Sequence, residues 1–114
     1  MNVMEYKYNQ KMAIVRLLLD IISIDEKIDE RETLYFEKVK KELNLSPEDH
    51  FKVKDFSTLL CLSILKGMTE EQKENYAALM KNTILADGVI EPSELLAYED
   101  ICKFCDIPIK NLEL

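Results

Sequence analysis

Glycine and proline are scarce in this chain, with 2 and 3 among 114 residues, and tryptophan is absent. So few turn formers leave little material for the hairpins of an all-β fold. Basic residues are in the minority, 15 Lys and Arg against 22 Asp and Glu, for a net charge of −7. That balance disfavours nucleic acid and anionic membrane surfaces, whose phosphates it repels. Cations, basic partner surfaces and neutral apolar grooves remain open. Long hydrophobic runs are missing too. The longest, Ala13 to Ile24, is interrupted by Arg16 and Asp20 and is too short to span a bilayer. The N-terminus lacks a basic start followed by an apolar run and a cleavage site, so no targeting segment is expected. Cysteines number 3, an odd count that builds no disulfide framework, which makes a reducing cytoplasm the default. With 47% apolar residues, positions 1–114 suffice for one domain with its own core.

What is present is a repetition. Asp25-Glu26-Lys27-Ile28-Asp29-Glu30-Arg31-Glu32 returns as Asp87-Gly88-Val89-Ile90-Glu91-Pro92-Ser93-Glu94. Overlaid, Asp25 falls on Asp87, Ile28 on Ile90, Asp29 on Glu91 and Glu32 on Glu94. The match continues through Glu37 on Glu99, Val39 on Ile101 and Leu45-Ser46 on Ile107-Pro108. Upstream, Leu18 meets Met80 and Ile22 meets Ile84. An internal repeat shows how a fold is assembled. The reading is an all-α compact helical bundle of two pseudo-repeated helical hairpins, with halves at about 11–46 and 73–108.

Periodicity places the helices. From about Gln10 to near Ile24 apolar residues cover most of the circumference, which marks a central helix. Asp29 reads as an N-cap with Glu32 completing a capping box. The helix behind it turns Leu34, Phe36 or Tyr35, Val39 and Leu43 inward and leaves Lys38, Lys40 and Lys41, balanced by Glu37 and Glu42, on a solvated face. Ser46-Pro47 starts a short helix to about Lys54. Phe56 to Met68 reads as a buried connecting helix. Thr69 with Gln72 opens the next, to about Ala86, and Glu91-Pro92 opens another whose inward residues are Leu95, Leu96, Tyr98, Ile101 and Cys105. Pro108 to Leu112 offers a final turn. No stretch alternates with period two, so strands are not expected.

The acidic turns share the spacing of the back half of an EF-hand loop. A full loop needs oxygen ligands at its first and third positions, where this chain has Ile21 and Ser23, then Thr83 and Leu85. The motif is therefore incomplete in both copies. Two half-loops packed about a pseudo-twofold axis could still share an ion, such as calcium or magnesium, between Asp25, Glu32, Asp87 and Glu94, with Asp29 and Glu91 as secondary ligands. The alternative is purely local: Asp29 and Glu91 cap helices, the glutamates close capping boxes, and Gly88 supplies positive φ at a helix end.

The apolar helix, Ala86-Asp87-Gly88-Val89-Ile90, Glu94 and the following helix resemble the signature of the tellurite-resistance TerB-like domains. The resemblance runs from about Lys11 to Ile107. The first copy departs from it, with Glu26-Lys27 where glycine is usual. It implies a small all-α, cytoplasmic, non-enzymatic module linked to resistance to tellurium oxyanions and other stresses. It also implies protein partners, among them membrane-associated complexes, and divalent-metal binding by acidic residues. By position Asp25, Glu32, Asp87 and Glu94 inherit that role.

Other chemistry is thin. Cys102 and Cys105 have CxxC spacing, but the repeat sets Cys105 inward and Cys102 outward, and a zinc site needs two more ligands. Their role stays open. His50 follows Pro47-Glu48-Asp49 and reads as exposed. No phosphate loop, nucleophile triad or HExxH motif occurs. The expected function is a binding or scaffold module in a bacterial stress response, holding a divalent cation at its acidic turns. The alternative is a metal-independent interaction module whose acidic surface meets a basic partner.

Overall fold

The computed structural model describes residues 5–24, 29–86 and 88–109, and every regular element among them is helical. They run α1 (Tyr8–Ile22), α2 (Glu30–Glu42), α3 (Pro47–Lys52), a 3-10 turn (Val53–Asp55), α4 (Thr58–Lys66), α5 (Glu70–Leu85) and α6 (Pro92–Cys105). α1 is the axis of the fold. Its residues Met12 to Val15, Leu17, Leu18, Ile21 and Ile22 are all buried, and it packs against α2, α4, α5 and α6. A helix can be apolar nearly all round only when it has neighbours on every side.

Local chemistry fixes where helices begin. Asp29 accepts from the Arg31 N–H at 2.7 Å and caps α2. Ser46 and Asp49 form a reciprocal capping box on α3, with Pro47 at the first helical position. Thr69 and Gln72 do the same for α5. These side chains satisfy N–H groups that have no intrahelical partner. Glu91 occupies the cap position of α6 without a side-chain cap bond, so the capping role expected of its carboxylate is not realised there.

Helix ends are also matched. Asn44 (φ 57) and Asp106 (φ 58) both take the left-handed conformation just past α2 and α6. Behind them Leu45 N–H donates to Lys40 C=O at 3.1 Å and Ile107 N–H to Cys102 C=O at 2.8 Å. This is the Schellman closure, at the ends of both helices. Gly88 (φ 77) ends the α5 turn as expected, its N–H donating to Leu85 C=O at 2.9 Å.

Three expectations about burial need correction. The segment read as a buried connecting helix is α4, of which only Cys61 and Leu65 are buried, while Leu59 and Leu60 are 67% and 48% exposed. Being short, α4 lies on α1 and α6 and is covered along one stripe. Leu34 and Leu96, matched positions of α2 and α6, are exposed rather than inward. Each sits two residues from the buried stripe, about 200° round the helix. Cys102 is buried, not outward. α6 is packed by α1, α4 and α5, so more than one side of it is covered. The described part of the final segment, 107–109, is irregular, and Met1 to Met4 and 110–114 lie outside the described residues.

Candidate functional site

The buried stripe of α2 runs Glu32, Phe36, Val39, Leu43 and that of α6 runs Glu94, Tyr98, Ile101, Cys105. Both follow the spacing that keeps residues on one helix face. Each therefore begins, one turn from the helix N-terminus, with a carboxylate: Glu32 is 3% and Glu94 2% exposed. The helix dipole favours negative charge at that point. Removing an ionised carboxylate from water is costly unless hydrogen bonds or opposite charge compensate it. Two such glutamates, at matched positions beside the two acidic turns, are the most chemically pointed feature of the core.

The other acids divide. Asp29 is engaged by Arg31, whose N–H and Nε lie 2.7 and 3.2 Å from its Oδ1. The Arg31 guanidinium and backbone amide hold its carboxyl below the usual carboxylate range. Glu91 is partly exposed. Asp25 and Asp87 lie outside the described residues. Among the described residues no group of three or more acidic, histidine or cysteine side chains gathers as a metal cage, so Glu32, Glu94, Asp29 and Glu91 do not by themselves compose one. The EF-hand positions outside the turns are spent otherwise. Ile21 is buried in α1, and the Thr83 hydroxyl donates to Leu79 C=O at 2.7 Å within α5.

The three thiols are all free and buried. Burial pushes each of Cys61, Cys102 and Cys105 up to about 11, so the nucleophilic thiolate is suppressed at neutral pH. Cys105 Sγ lies 3.5 Å from Leu62 C=O, which ties α6 to α4. The Tyr76 hydroxyl, in the same region of the core, is fully buried and has no hydrogen-bond partner among the described residues. Desolvation drives its ionisation far above the ordinary tyrosine range, and all three cysteines add to that effect.

His50 is partly buried rather than exposed. Its Nδ1 lies 3.0 Å from Lys40 Nζ, which also meets Glu37 Oε1 at 2.9 Å and sits 5.0 Å above the Phe36 ring. Lys40 is thus drawn out of the solvated face assigned to it. Periodicity showed α2 alone and could not show that α3 folds back beside its end.

No family model matches the chain, and no curated protein matches it. Among solved structures the fold is similar to the crystal structure of a protein of unknown function from Porphyromonas gingivalis, with a TM-score of 0.77 and 17% identity over 96% of this chain and 92% of that one. At that identity the likeness is one of fold. Among the described residues no helix is long and apolar enough to cross a membrane.

Proposed function

We propose that this chain is a TerB-like binding and scaffold module of a bacterial stress response, cytoplasmic and non-enzymatic, tuned by a divalent cation at its acidic turns. The observation that carries the reading is the pair Glu32 and Glu94, buried at matched positions one turn into α2 and α6. Their acidic neighbours Asp25 and Asp87 stand at matched places in the sequence. An ion shared across these turns would cancel the repulsion of carboxylates within them and lock the two halves together. A partner protein, or a membrane-associated complex, would then read the rigid surface.

The test is a thermal melt of chelator-stripped protein against calcium, magnesium, manganese and zinc. An ion that binds only the folded form raises the melting temperature in a concentration-dependent way. We expect a saturable rise with one ion, abolished by Asp87→Asn with Glu94→Gln. A flat response at physiological concentrations sinks the cation.

A second reading is a metal-independent protein-interaction module. It is favoured by α4, which presents Leu59 and Leu60 to water. Apolar surface of this kind commonly marks a protein contact. Under that reading the net charge of −7 selects a basic partner.

A further inference from the structure

The end of α2 and the start of α3 gather basic side chains in an otherwise acidic protein. Lys40, Lys41, Leu45, Pro47, His50 and Phe51 line a cleft of about 430 Å3 between the end of α2 and α3. A neighbouring hollow of about 420 Å3 shares Glu37 and Lys41 with it and adds Leu34 and Lys38. The two make a groove along the outer side of α2.

We propose that this groove docks a short acidic peptide segment that carries an apolar side chain. The argument is charge complementarity joined to exposed apolar anchors. Glu37, the acid that lines the groove, is held by Lys40 at 2.9 Å. Asp49 of α3 is bonded to the Tyr8 hydroxyl at 2.7 Å and to the Ser46 N–H at 2.8 Å. Lys38 and Lys41 form no ion pair among the described residues and keep their charge for a ligand. Lys40 can only donate to His50 Nδ1, so the imidazole carries its proton on Nε2 and offers a further donor.

Apolar anchors flank these donors. Phe51 is 73% exposed, and Leu34 also stands open to water. Side chains this large and this exposed mark a contact surface when they adjoin polar groups. The groove contains lysines and no arginine, so it lacks the planar fork that recognises phosphate bidentately. Single ammonium donors suit carboxylates. A nucleic acid is opposed by the net charge of −7, whereas a short acidic segment meets only the local positive field. Exposed charge pairs contribute little each and are screened by salt, so the complex is weak and salt-sensitive.

The test is a titration of the full chain, with chelator present, by a synthetic peptide alternating Glu with Leu and Phe. The chelator separates this surface from the cation reading. Amide 1H–15N shifts should move at Leu34, Lys41, Leu45 and Phe51, and affinity should fall severalfold between 50 and 500 mM salt. Lys41→Glu with Phe51→Ser should weaken binding at least tenfold with an unchanged melting temperature. If that pair unfolds the chain, Lys38→Gln with Lys41→Gln should show the same direction. Four results overturn the proposal: no shifts at millimolar peptide, equal binding of the peptide with Lys in place of Glu, shifts on another face, or unchanged affinity in the variants. It also falls if inorganic phosphate alone reproduces the shifts, or if Phe51→Ser abolishes a self-association that covers the groove.

Discussion

Tyr76 places a hydroxyl in the centre of the core with no hydrogen-bond partner among the described residues. A buried polar group without a partner costs about 1–3 kcal/mol, and removing it recovers that amount. Tyr76→Phe should therefore leave stability unchanged or raise it by up to about 2 kcal/mol in urea melts. A loss above about 1 kcal/mol would reveal a partner for the hydroxyl. The thiols make a different prediction. Their folded values near 11 stand above the ordinary 9.0. Between those limits the unfolded chain releases protons that the native chain keeps, so stability is complete below about pH 9 and declines as pH rises towards 11. Urea midpoints should drop between pH 8 and pH 10, and Cys61→Ala with Cys102→Ala and Cys105→Ala should flatten that drop. Thiol reagents at pH 7 should label the native protein only as fast as it unfolds.

At the scale of elements, the caps and turns carry measurable weight. Ser46→Ala and Thr69→Ala each remove one side of a reciprocal capping box and should cost about 1 kcal/mol. Gly88 has φ 77, and no atom lies within 4 Å of the place a Cβ would take, so Gly88→Ala meets backbone strain alone, about 1 kcal/mol. Asn44→Gly and Asp106→Gly relieve the same left-handed strain and should be neutral or stabilising by a few tenths of a kcal/mol. Denaturant melts of these single variants check the signs. α4 is the element whose role depends most on its surroundings. Its sequence is apolar enough for a core helix, yet it has cover on one side only.

For the whole molecule, α1 is the shared wall against which α2, α4, α5 and α6 pack. Glu32 and Glu94 enter that interior from the starts of α2 and α6. Glu32→Gln and Glu94→Gln keep size and hydrogen-bonding oxygen while removing charge. If compensation is by fixed local donors, each variant should change stability in the absence of added ions by no more than about 2 kcal/mol. If a cation supplies it, stripped wild type should gain from the substitution and lose its response to the ion. The lysines along α2 lie on the outer side of the same helix whose inner stripe carries Glu32.

The sequence by itself determined the helical class and most helix boundaries, because periodicity, caps and glycine turns act between residues a few positions apart. Asp29, Ser46, Thr69 and Gly88 were legible for that reason. The acidic turns were legible as a repeat, and Glu32 and Glu94 as helix-start residues, but their depth was not. Burial depends on which neighbour covers a face. Only tertiary structure buried Cys102, left Leu34, Leu59 and Leu96 in water, and brought His50 to Lys40. Those outcomes belong to contacts between elements distant in the chain, and a helical period names the apolar side of a helix without naming what lies against it.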